Sequence, residues 1–89
     1  MISHTTKQFR KLLRELPADV QKQARQAYLT WARDPWHSSL HFKRIHGTDP
    51  IYSARIALGW RAVGVRSGDT VIWYWIGSHA DYDKLIAKF

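Results

Sequence analysis

Eighty-nine residues make one small domain with a modest core, and 45% hydrophobic content with five tryptophans is enough to pack it. The absence of cysteine excludes a disulfide framework and thiolate chemistry, and it favours the cytoplasm over secretion. Lys and Arg outnumber Asp and Glu 14 to 7, a net charge of +7, which directs attention to an anionic partner, either nucleic acid or an acidic protein segment.

No apolar run approaches the roughly 20 residues of a membrane span. Met1–Thr6 lacks the apolar stretch of a signal peptide, so a mature cytoplasmic protein is expected. The chain then opens on a helix. Phe9, Leu12, Leu13 and Leu16 recur at i, i+3, i+4 and i+7, a one-sided stripe. Thr5 or Thr6 supplies its cap, and Lys7, Arg10, Lys11 and Arg14 take the other faces. Pro17 ends this helix and suits the first turn of a second one running to Arg33. Val20, Ala24, Ala27, Tyr28 and Trp31 form the apolar stripe of the second helix, and Asp19 favours its positive end. The short connection implies an antiparallel hairpin.

Asp34-Pro35 stops the second helix. Trp36–Ser39 is a connector, Leu40–Ile45 alternates imperfectly as a strand, and His46–Pro50 is a turn cluster. Three further strands are expected over Ile51–Leu58, Trp60–Arg66 and Thr70–Ile76, broken by Gly59 and by Ser67-Gly68-Asp69. His79–Lys88 reads as a short terminal helix. The fold class is therefore α+β: one domain over residues 1–89, with an N-terminal antiparallel helical hairpin on a twisted, mainly antiparallel four-stranded sheet and a short C-terminal helix.

Two arginines, Arg55 and Arg61, sit inside otherwise apolar strands, where a charge needs a partner or a cleft. A two-residue turn at Gly68-Asp69 sets Arg66 opposite Val71, Gly64 opposite Trp73 and Ala62 opposite Trp75. A three-residue turn over Leu58-Gly59-Trp60 then puts Arg55 and Arg61 on one face, with Tyr52, Ala54, Ile56, Trp73 and Trp75 on the other beneath the hairpin. A two-residue Leu58-Gly59 turn instead flips Arg55 to the other face. Under either turn Arg61 lies opposite Ile76, close to the chain leading into His79.

Leu40-His41-Phe42-Lys43-Arg44-Ile45-His46-Gly47, then Tyr52-Ser53-Ala54-Arg55, Trp60-Arg61 and Trp75-Ile76-Gly77-Ser78-His79, followed by Asp81-Tyr82-Asp83-Lys84-Leu85, resemble in order and spacing the RelE/ParE toxin superfamily of bacterial type II toxin–antitoxin systems. The resemblance covers nearly the whole chain. The family's short first strand is hardly visible, since only Met1–His4 remain for it.

The resemblance implies a metal-independent, ribosome-associated endoribonuclease that cuts mRNA, needs no cofactor and is neutralised by a cognate antitoxin in a higher-order complex. In such enzymes the 2′-hydroxyl attacks the adjacent phosphate. Carried onto this chain, the resemblance implies Arg61, His79 and Tyr82 as catalytic residues, with Lys43 and Arg55 holding RNA or phosphate. A guanidinium clamps non-bridging oxygens bidentately, and an imidazole moves protons near neutral pH.

The family also contains ParE-like members that poison DNA gyrase without catalytic residues, so gyrase inhibition is a rival, as is a non-toxic antitoxin-binding module. Bland readings stand beside the sharp ones. His79 caps the terminal helix or contacts Asp83 one turn on. Arg61 pairs with Asp81 or Asp83. Tyr82 packs as an amphipathic aromatic. Trp36 and Trp60, near turns, are the better candidates for stacking on RNA. His4, His37, His41 and His46 lack metal-ligand spacing.

Overall fold

A computed structural model describes every residue from Met1 to Phe89. The elements run β1 (Ile2–Thr5), α1 (Lys7–Arg14), α2 (Ala18–Arg33), β2 (Lys43–Arg44), β3 (Ile51–Ala57), β4 (Trp60–Ser67), β5 (Thr70–Ser78) and α3 (His79–Ile86), with a 3-10 turn at Ser38–Leu40. The sheet order is β1-β5-β4-β3-β2. Neighbouring strands are antiparallel except β1, which runs parallel to β5. No helix is long and apolar enough to cross a membrane.

The sheet thus has five strands and is mixed, where four mainly antiparallel strands were expected. β1 escapes a hydrophobic-pattern reading because three of its four residues are exposed. Partnership with β5 makes it a strand, bounded by Ile2 N–H to Asp69 O (2.7 Å) and Thr6 N–H to Trp73 O (3.0 Å). The strand expected over Leu40–Ile45 contracts to two residues. Leu40 closes the 3-10 turn and His41 adopts a left-handed φ of 45°. Of the three apolar residues in that segment, Leu40 and Phe42 are still buried and Ile45 is half-buried.

The helical hairpin forms where the stripes place it. Thr6 Oγ1 accepts the Phe9 N–H at 3.0 Å and caps α1. The Gln21 amide donates to the Arg14 and Leu16 carbonyls at 3.2 and 2.9 Å, satisfying groups that the end of α1 leaves open. α1 lies against β5 and α2 against β3. Between helices and sheet sits the core: Ala24, Trp31, Leu40, Phe42, Ala54, Ala62, Val71, Trp73 and Ile76.

Two bulges reset the register. The Gly68-Asp69 turn forms as expected, with Gly68 at φ 58°, and Arg66 faces Val71 while Gly64 faces Trp73. The ladder then shifts at Tyr74, so Trp75 faces Val63, and Ala62 faces Ile76 rather than Trp75. An inserted residue sends everything after it to the opposite face. Ile76 consequently joins the core, and Trp75 turns away from it. The β3–β4 turn has two residues, Leu58 and Gly59, with Gly59 at φ 81° and Ala57 opposite Trp60. A second shift at Ile56 cancels the flip this turn imposes and leaves Arg55 opposite Arg61.

Gly64 marks a tight point of the core. A Cβ there stands 2.9 Å from the Ile72 carbonyl oxygen, 2.9 Å from Val71 Cγ1 and 3.0 Å from Trp73 Cε3. One of these neighbours is backbone and cannot swing aside. Gly64→Ala is expected to cost about 1–3 kcal/mol, a drop of several degrees or more in the thermal midpoint. Thermal unfolding followed by circular dichroism checks this, and an unchanged midpoint contradicts the close packing.

Candidate functional site

Residues paired across a ladder share a face. On the face away from the hairpin, one row runs Lys43–Ser53–Val63–Trp75 and the next Arg55–Arg61–Gly77. Two residues along a strand separate these rows, about 7 Å. The shift at Ile56 thus gathers Lys43, Arg55 and Arg61 on one surface. Gly77, without a side chain, leaves room at the end of the second row for the Trp75 indole. Trp75 folds its indole over it, so that a Cβ on Gly77 stands 2.7 Å from Trp75 Cζ2 and 2.9 Å from Cη2.

α3 covers part of this surface. Ser78 Oγ accepts the Asp81 N–H at 3.1 Å and caps the helix. His79 N–H donates to Gly59 O at 2.7 Å, tying the start of α3 to the β3–β4 turn. Tyr82, 7% exposed, points down from α3 and donates its hydroxyl to the fully buried Ser53 Oγ at 3.3 Å. The Arg61 guanidinium carbon stands 5.9 Å from the Tyr82 ring centroid, the His79 ring 5.6 Å and the Trp75 ring 6.4 Å. Tyr82 is therefore the hub on which Arg61 and His79 converge.

His79 Nδ1 lies 3.2 Å from Asp83 Oδ2, one helical turn on. In the neutral ring, a carboxylate at that nitrogen selects the tautomer with the proton on Nδ1, in which Nε2 carries the lone pair. Asp83 is thereby drawn to His79 and not to Arg61. None of Lys43, Arg55 and Arg61 has a carboxylate within 4.0 Å; the ion pairs in the chain are His79–Asp83 and His46–Asp49. The expected alternative of an Arg61 pair with Asp81 or Asp83 does not form. These cations keep their charge available to an external anion. Tyr74, at the β5 bulge, has its phenol pushed above the usual value by burial. No three His, Cys, Asp or Glu side chains gather into a metal-holding group.

Of the two tryptophans favoured for RNA stacking, Trp36 is engaged elsewhere, against Phe42 (5.0 Å) and beneath the Arg66 guanidinium (5.5 Å). Trp60 pairs with Ser78 beside Arg61 and borders the site. Ser53 gains its place as the hydroxyl acceptor for Tyr82. The only sign of that place in the sequence is its position in Tyr-Ser-x-Arg.

Comparison with known proteins places these features. The model of the family described as ParE-like toxin domain matches residues 18–84, most of the chain. No curated protein matches it in sequence. Among solved structures, it is similar to the RelB–RelE antitoxin–toxin complex from Methanococcus jannaschii, with a TM-score of 0.74, 19% identity, and coverage of 92% of this chain and 96% of that one. It is similar to the RelBE2 toxin–antitoxin complex from Mycobacterium tuberculosis, with a TM-score of 0.70 and 20% identity, covering 90% and 92%. The isolated E. coli RelE toxin aligns over 98% of this chain and 96% of its own, at a TM-score of 0.66 and 15% identity. At such identities these three speak for the fold, while the family match speaks for descent. With three helices, a five-stranded sheet and the match over residues 18–84, the chain belongs to the ParE-like toxin domain family, within the RelE/ParE toxin superfamily.

Proposed function

We propose that this chain is the toxin of a toxin–antitoxin pair and acts in the cytoplasm as a metal-independent, ribosome-associated endoribonuclease that cuts mRNA. The observation that carries the reading is the row Arg55–Arg61, free of carboxylates, beside a histidine whose Nδ1 faces Asp83. In the proposed reaction His79 Nε2 takes the proton of a ribose 2′-hydroxyl. The 2′-oxygen bonds to the adjacent phosphorus and the bond to the 5′-oxygen breaks; that oxygen takes a proton from water, and His79 returns its own to solvent, leaving a 2′,3′-cyclic phosphate and a 5′-hydroxyl. Arg61 holds the non-bridging oxygens as charge develops on them. Tyr82 is the third catalytic member, its ring against both. Lys43 and Arg55 hold neighbouring phosphates. The structural relatives crystallised as RelB–RelE complexes support a cognate antitoxin as the protein partner.

A reconstituted translation reaction with primer extension tests this. The parent is expected to generate new 5′ ends on translated mRNA. His79→Ala is expected to lower their formation about 10²–10⁴-fold, the usual contribution of general acid–base catalysis, with its unfolding midpoint kept. Undiminished cleavage by His79→Ala removes that residue from the chemistry. The ParE-like description of the matching family favours a second reading, inhibition of gyrase without catalysis. Loss of supercoiling by purified gyrase, with mRNA left intact, selects it.

A further inference from the structure

Arg55 belongs to two places at once. On the ladder it is the cross-strand partner of Arg61, their Cα atoms about 5 Å apart. At the end of β3 it also lines a cleft of about 260 Å³ on the hairpin side, beside the 3-10 turn, with Ala27, Thr30, Ser39, Leu40, Ile56 and Ala57. The floor is apolar, as the face of a planar base requires. The polar side chains are Arg55, whose guanidinium is taken by the phosphate, and two hydroxyls, whose hydrogens the chain itself takes up.

Thr30 Oγ1 donates its hydrogen to the Gln26 carbonyl at 3.3 Å. His37 Nδ1 accepts the Ser39 backbone N–H at 3.2 Å, so that nitrogen carries no proton. The Ser39 hydroxyl, 2.8 Å from the same nitrogen, therefore donates to it. Both hydroxyls spend their hydrogens inside the protein and present only lone pairs to the cleft. A site of acceptors over an apolar floor pairs with amino groups. Adenine and cytosine carry an exocyclic amine where uracil carries a carbonyl oxygen, and two acceptor oxygens facing each other repel.

We infer that this cleft is a nucleobase subsite of the RNA strand, taking the base next to the phosphate held by Arg55 and preferring adenine or cytosine over uracil. The inference rests on the RNA reading above. Its test separates the two, because binding is read without cleavage.

The probes are fluorescein-labelled 2′-O-methyl tetranucleotides UAUU, UCUU and UUUU, which lack the 2′-hydroxyl nucleophile. Fluorescence anisotropy with the parent chain is expected to rank UAUU and UCUU about tenfold tighter than UUUU, the worth of one or two hydrogen bonds to an amine. In the Thr30→Val/Ser39→Ala double variant, which alters two side chains that are not buried, this ratio is expected to fall to near one. Arg55→Ala is expected to weaken all three alike and to lower the salt slope by about 0.7. Equal binding of the three by the parent, or a preference unchanged in the double variant, overturns the subsite. Preference without any mRNA cleavage in translation supports the subsite and overturns the nuclease. Failure of all three to bind overturns both.

Discussion

Arg61→Ala is expected to reduce mRNA cleavage about 10²–10³-fold, the usual loss when a preorganised donor to developing negative charge is removed. The fold should survive the change. Arg61 is only half-buried and has no carboxylate partner, and its contact with the Tyr82 ring is worth about 0.5–1 kcal/mol. The loss therefore reports on chemistry and not on unfolding. Arg61→Lys sharpens the test. A lysine restores the charge but not the planar fork that meets two phosphate oxygens together, so it should recover only a small part of the rate. Primer extension on translated mRNA, with parent and variants at matched concentration, reads all three. Full activity in Arg61→Lys replaces the bidentate clamp with simple charge neutralisation, and full activity in Arg61→Ala removes Arg61 from the site.

The elements of this fold were legible wherever a local signal was strong. The stripe from Phe9 to Leu16, Pro17, and the Asp34-Pro35 stop set both helices of the hairpin, because amphipathic spacing and proline act within a few residues. β1 was not legible, since its exposed residues owe their strand to hydrogen bonds with β5, a partner some seventy positions away. The Leu40–Ile45 segment showed the buried residues and not the geometry. Nothing in a run of apolar and basic side chains announces the left-handed φ at His41.

The site was legible for a different reason from its register. Counting from the turns put Arg61 near the entry to His79, and the structure sets it opposite Gly77, one residue nearer. Yet the two bulges, at Ile56 and Tyr74, were invisible to counting and act in opposite ways. The first rescues the Arg55–Arg61 pair after a turn length that breaks it. The second moves Trp75 from the core to the face under Tyr82. Bulges arise where sheet twist, packing and turn type must be reconciled, and that reconciliation involves three strands at once. The His79–Asp83 contact needed only helical spacing, i and i+4. The Tyr82–Ser53 bond joins residues 29 positions apart across α3 and β3, and only the tertiary structure supplies it.

Trp31→Ala is expected to leave the chain largely unfolded at physiological temperature, while Trp31→Phe leaves it folded. Trp31 is 3% exposed and sits at the centre of the aromatic core. Its ring meets Trp73 edge-on at 5.6 Å, Phe42 edge-on at 5.9 Å and Tyr28 stacked at 6.3 Å. It also lines a half-open groove of about 430 Å³ between hairpin and sheet, so truncation widens that groove instead of letting the core close. Removing such a ring costs about 3–5 kcal/mol, and each lost aromatic pair adds about 0.5–1.5 kcal/mol. A domain of this size has roughly 4–13 kcal/mol in total. The phenylalanine variant behaves differently because of one atom. Trp31 Nε1 is buried with no hydrogen-bond partner, and an orphaned donor costs about 1–3 kcal/mol. Phenylalanine loses area and part of the edge contacts but removes that donor, so the two effects largely offset and a net cost of about 1 kcal/mol or less follows. Urea unfolding of the three proteins decides it. If Trp31→Phe is as destabilising as Trp31→Ala, the indole N–H is satisfied in solution and the argument from the orphaned donor fails.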